Sequence, residues 1–216
     1  MYICLFYYNN IRILTSDVCT WALIGVSLCL NKELGIPWSS HIGEIVSQAH
    51  KKLAFLQRNI YHCPRNIKTM AYFSLVRPKL EYAVSIWDPH TTKDVSKLYS
   101  VQRKPARFVT GDFGKRSSVT SMLDELEWPP LQRRRKELKA VLFYKILNDE
   151  VDVTLPLQKA PRETEHRYIV PQSRTNSHLH SFYPSTVRVW NNLPSVTAKA
   201  ETAETFKSMV KMLDQI

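Results

Sequence analysis

The sequence predicts a mostly α-helical protein: a helical bundle with a short N-terminal strand and a C-terminal segment holding minor β structure and two short helices. Three observations lead there. Apolar side chains make up 44% of 216 residues, enough to bury a core at this length. Only five glycines punctuate the chain. From Ile42 to Ile146 apolar residues return mainly every three or four positions, the spacing of helices with one buried face.

The N-terminal text Val18–Leu30, VCTWALIGVSLCL, is uncharged. Its thirteen residues fall short of the roughly 20 that a membrane span needs. Extending it back to Ile13 takes in Asp17, and neither a basic start nor a small-residue cleavage site precedes it. Its β-branched and aromatic content reads instead as a buried strand, so 21–37 is a strand and loop leading into the bundle. A small membrane-associated protein anchored near residues 13–30 is the competing reading.

Ser39 or Ser40 can cap a first helix whose inward face is Ile42, Ile45, Val46, Ala49, Leu53, Leu56 and Ile60. Pro64 suits the first turn of a second, with Ile67, Met70, Ala71 and Leu75 on one face. Pro78 removes a helix hydrogen bond, so the rod kinks or restarts there, and Tyr82, Ile86 and Trp87 pack back onto neighbours. Thr91 and Thr92 precede a third helix carrying Val95, Leu98, Val101, Phe108 and Val109, which Gly111 closes. A short helix from Ser118 to Leu126 completes the bundle, residues 38–127.

The region 128–216 follows. Pro129 and Pro130 open a helix with Leu131, Leu138, Val141, Leu142 and Ile146 inward. Residues 151–183 read as a long connection with two short extended segments, in HRYIVP and LHSFYP. Pro184 starts a short helix through Trp190 that Pro194 ends, and a last helix carries Phe206, Met209, Val210 and Leu213.

Charge is distributed unevenly. Residues 51–150 hold twenty basic and ten acidic side chains, almost the whole net charge of +11. Charge concentrated in this way points to an acidic partner, most commonly nucleic acid. Cys4, Cys19, Cys29 and Cys63 show no CxxC spacing and no Asn-x-Ser/Thr sequon occurs, which fits free thiols in an intracellular setting, cytoplasm or nucleus.

Catalytic and cofactor text is missing. No GxGxxG, GxxxxGK[ST], HExxH or GxSxG is present, so no cofactor is expected. His178 and His180 form an HxH without a third ligand at metal spacing, and reads as a surface loop. Two-metal phosphoryl transfer needs clustered carboxylates, but neither Asp124–Glu125 nor Asp149–Glu150 lies in a tight turn between strands, and Asp149–Glu150 instead ends a helix.

Several long stretches carry a resemblance. HCPRNIKTMAYFSLVRPKLEYAVSIWDP, VQRKPARFVTGDF and SSVTSMLDELEWPPLQRRRKELKAVLFYKILN together resemble the region after the polymerase palm in non-LTR (LINE-type, jockey-like) retrotransposon reverse transcriptases. RTNSHLHSFYPSTVRVWNNLP resembles the far C-terminal signature of that family, and LIGVSLCLNKELGIPWSSHI its YLGV strand and the helix that follows. The likeness spans about residues 22–210; residues 1–20 match nothing in it. It implies a thumb-like bundle that grips template and primer by shape and charge. The family's paired catalytic aspartates lie upstream of the YLGV strand and have no counterpart here. The resemblance therefore implies a truncated element without palm, fingers or nuclease, which does not polymerise.

The candidate nucleic-acid contacts are Arg77 and Lys79 around Pro78, Gln102, Arg103, Lys104 and Arg107 in VQRKPARF, and Arg133, Arg134, Arg135 and Lys136 in LQRRRKELK. Guanidinium groups suit phosphate through paired hydrogen bonds, whereas lysine acts as a point charge. Four successive helical residues cannot share one face, so two or three of the last cluster can follow one phosphate track. Replacing Arg133, Arg134 and Arg135 by Gln is then expected to weaken binding while leaving the helix intact. The alternative is an inert helical folding module.

Overall fold

The computed structural model describes residues 38–114, 116–151, 157–160 and 166–213. The strand expected at 21–37 and the anchor weighed near 13–30 lie outside them. The described residues are mostly helical. They belong to two compact units that divide between Leu138 and Lys139.

The first unit begins with helix α1, Trp38–Asn59, whose buried residues Ile42, Ala49, Leu53 and Leu56 match the expected face. Because Trp38 is already helical, Ser39 lies inside the first turn. Its hydroxyl donates to Asp94 Oδ2 at 2.6 Å instead of capping the helix.

Next come α2 (Arg65–Ala71), a π-helical turn (Tyr72–Val76), α3 (Arg77–Glu81) and α4 (Val84–Trp87). The inward face differs from the expected one. Ile67, Met70 and Leu75 are 40%, 63% and 45% exposed, while Tyr72, Val76, Leu80 and Val84 are buried. Tyr72, Val76 and Leu80 recur every four residues, a spacing that drifts around an ordinary α-helix but stays in line when one turn is underwound, and Val84 joins them from the separate helix α4. Tyr72 anchors the stripe by stacking on Trp128, with ring centroids 4.6 Å apart and planes 13° from parallel.

The same turn accommodates Pro78. Arg77 N–H reaches back to Tyr72 O, and the helix restarts with Pro78 in its first positions, where a missing N–H costs little. The new helix ends at once: Tyr82 is extended and Ala83 is left-handed at φ 50°. Trp87 returns to the core, donating from Nε1 to Tyr82 O at 2.8 Å.

Helix α5 (Thr92–Thr110) starts and stops as its sequence signals. Thr91 Oγ1 accepts from Asp94 N–H, and Gly111, at φ 75°, supplies the left-handed residue that donates to Arg107 O. Leu98, Val101, Ala106, Phe108 and Val109 are buried. Ser118 caps α6 (Val119–Glu125), which buries Met122 and Leu123.

Helix α7, Leu131–Leu147, carries the division between units. Its buried apolar residues are Leu131, Ala140, Phe143, Tyr144 and Ile146, whereas Leu138, Val141 and Leu142 are half-buried. Aromatic contacts explain the rotation of the buried face in the second unit: Phe143 meets Trp190 edge-on, and Tyr144 stacks on Phe206 at 4.5 Å.

The second unit also holds α8 (Asn176–Leu179), α9 (Phe182–Asn191), α10 (Ser195–Ala198) and α11 (Ala203–Met212). LHSFYP is helical rather than extended, because Phe182, Thr186 and Trp190 line one buried face at four-residue spacing. HRYIVP pairs with residues just before it: Ala160 N–H donates to Arg167 O and Ile169 N–H to Gln158 O. Asn191 holds this short ladder against α9, accepting from Tyr168 N–H and donating to Tyr168 O. Among the described residues no helix is long and apolar enough to cross a membrane.

Candidate nucleic-acid interface

The arginines at the start of α7 face carboxylates. Arg134 donates to both oxygens of Glu81, from Nε at 3.1 Å and a terminal nitrogen at 3.2 Å, and to Glu137 at 2.7 Å. Arg77 reaches Glu81 at 2.6 Å, one turn away on α3. Arg133 pairs with Glu137 at 3.2 Å, and Arg135 with Asp88 at 2.6 Å. Burial pushes the Glu81 carboxyl up, yet the hydrogen bonds from Arg134 and Arg77 outweigh it and hold the group below its ordinary range. Arg134 behaves as the mirror case: burial pushes it down, and Glu81 and Glu137 raise it further than that.

These placements correct the expected site. Arg135 is 4% exposed and Arg134 is held among three carboxylate contacts, so neither belongs to an open phosphate track. Gln102, 2% exposed, donates to Pro129 O at 3.0 Å and accepts from Leu131 N–H at 3.2 Å. It secures the start of α7, because a buried amide must spend both of its polar ends. Arg107 is half-buried and donates to Gly114 O and Ser117 O, tying down the loop after α5. Lys79 and Lys136 are half-buried.

Two candidates stand apart. Arg103 and Lys104 are exposed on α5 and make no ion pair or hydrogen bond with any described residue. Beside them lies α1. His50 Nε2 is 3.4 Å from Ser100 Oγ, and its pKa is lowered by burial and then by the Lys104 ammonium. Lys51 and Lys52 are exposed on the next positions of α1. Their signal was readable: between buried Ala49 and Leu53 a helix must turn two side chains outward.

The remaining chemistry-bearing residues have local roles. His178 Nδ1 lies 2.9 Å from Ser173 Oγ, within the α8 turn capped by Thr175. Among the described residues no group of three or more His, Cys, Asp or Glu side chains is placed to hold a metal ion. Exposed positive charge is thus present on both α5 and α1. Comparison with family models, curated proteins and solved structures finds no match to this chain.

Proposed function

We propose that these residues form a thumb-like module, akin to the C-terminal region of non-LTR retrotransposon reverse transcriptases, that holds a nucleic-acid backbone without reading its sequence. The module acts inside the cell, in cytoplasm or nucleus, and does not polymerise by itself. The observation that carries this reading is a contrast between helices: Arg103 and Lys104 of α5 are exposed and unpartnered among the described residues, whereas the arginines at the start of α7 all meet carboxylates. Charges left without carboxylates in a chain of net +11 are available to release counterions from phosphates.

Anisotropy titrations of a fluorescent duplex and a single strand, across a salt series, test this. With about two to four phosphates engaged, log K against log salt should fall with a slope of about −2 to −3.5 on duplex, equally for unrelated sequences. Replacing Arg103 and Lys104 together by Gln should flatten that slope by about one to two. Primed template with nucleotides and Mg²⁺ should not be extended. Absence of binding at low salt would instead favour a folding module, the reading to which the Arg77–Glu81–Arg134–Glu137 network lends support.

A further inference from the structure

Helices α5 and α6 and the turn between them enclose a cleft of ≈ 330 Å³. Tyr99, Arg103 and Arg107 form one wall, four residues apart on one helical face; Ser118 and Thr120 stand opposite, and Leu123 contributes apolar lining. Its polar groups are nearly all donors. Arg107 is fixed in place because its terminal nitrogens donate to Gly114 O at 2.9 Å and Ser117 O at 3.3 Å. Arg103 has no partner among the described residues, nor do the hydroxyls of Tyr99 and Thr120. Ser118 Oγ accepts from Ser121 N–H, which leaves its own proton to give.

No carboxylate lines the cleft; Asp112 on the adjoining turn is engaged by Gly114 N–H and Ser117 and also feels the charge of Arg107. A concave site lined by two guanidinium groups and several hydroxyl donors, with no anion in its lining, suits a ligand with many acceptor oxygens and negative charge. Phosphate has that chemistry. The volume exceeds one phosphate and leaves room for an attached sugar beside the Tyr99 ring.

The geometry points to a phosphate-binding cleft at Arg103, Arg107, Ser118 and Thr120, which seats one phosphate of a nucleic-acid strand crossing α5. The strand as the source of that phosphate rests on the function proposed above; the anion chemistry of the cleft does not.

The full chain is titrated with inorganic phosphate at constant ionic strength, following amide and Arg Nε–H resonances, and separately with a fluorescent oligonucleotide. Phosphate should saturably shift Arg103 Nε–H and the Thr120 amide. Arg103→Gln and Thr120→Val should each remove that response, whereas Lys104→Gln, outside the cleft, should keep it. Arg103→Gln should weaken oligonucleotide binding by about threefold to tenfold at low salt, more than Lys104→Gln, since a seated guanidinium makes directed bonds that a point charge lacks. Phosphate shifts spread evenly over the basic surface, or none, would overturn the cleft whatever the oligonucleotide does. A cleft that responds to phosphate while Arg103→Gln and Lys104→Gln weaken oligonucleotide binding equally would overturn the strand as its occupant. Wild-type protein that takes phosphate but no oligonucleotide would do the same and would sink the proposed function too, leaving a site for a small phosphate ester.

Discussion

The two arginine-rich stretches of the first unit look alike as text and differ as structure. In LQRRRKELK every arginine meets a carboxylate: Arg133 and Arg134 on Glu137, Arg134 again on Glu81, Arg135 on Asp88. In VQRKPARF, Arg103 and Lys104 meet none among the described residues, and Arg107 binds backbone carbonyls. Density of positive charge is therefore a poor guide to a binding surface. What separates the two is whether the fold delivers acids to the same place, and α3 and the segment after α4 deliver Glu81 and Asp88 to one of them only.

That contrast can be broken most forcefully at its most buried arginine. Arg135→Gln leaves Asp88 without its guanidinium and should lower stability by roughly 3 kcal/mol, read from urea midpoints. The combined change of Arg133, Arg134 and Arg135 to Gln should therefore unfold or badly weaken the first unit, not merely soften binding. Removal of the shared acid comes next. Glu81→Gln strips Arg77 and Arg134 of a common partner and should cost about 2 kcal/mol, with little change in the Arg135–Asp88 pair.

Acid supplies a smaller, graded test. Hydrogen bonds from Lys97, Ser39 and Thr91 bring the Asp94 carboxyl down to about 2 from its ordinary 3.8. A carboxylate lowered on folding stabilises fully above its unfolded pKa, and that gain disappears as pH falls through the folded one. Stability should thus decline between about pH 4 and 2, and Asp94→Asn should flatten this limb after costing about 1–2 kcal/mol at neutral pH. The smallest effect sharpens the contrast from its other side. Arg103→Gln or Lys104→Gln should move stability by under about 0.5 kcal/mol, because neither side chain holds the fold together. A loss there as large as at Arg135 would erase the distinction.

How much of this was legible follows from the range over which each signal acts. The caps at Thr91, Ser118 and Gly111 are local, so they were readable within a few residues, as was the apolar stripe of α1. Glu137 was also visible, three and four residues from Arg134 and Arg133 on one helix. Glu81 and Asp88 lie about fifty residues from their arginines, and only tertiary packing joins them. Gln102 misled because it adjoins two exposed cations, yet its position faces inward to Pro129 and Leu131. The choice between Ile67, Met70 and Leu75 and the buried stripe of Tyr72, Val76 and Leu80 turned on a helix pitch that an assumed 3.6-residue period conceals.

That pitch has a consequence for how the gene can change. A π-helical turn is an α-helix holding one residue more than its neighbours, and here the extra residue sits just ahead of a proline. Losing a single codon within Tyr72–Val76, such as that of exposed Ser74, would restore a regular helix and place Pro78 inside it, at a cost of roughly 3 kcal/mol. Exchange of the proline for alanine would relieve that cost. The insertion and the proline thus form a compensating pair across which a lineage can move readily only by changing both.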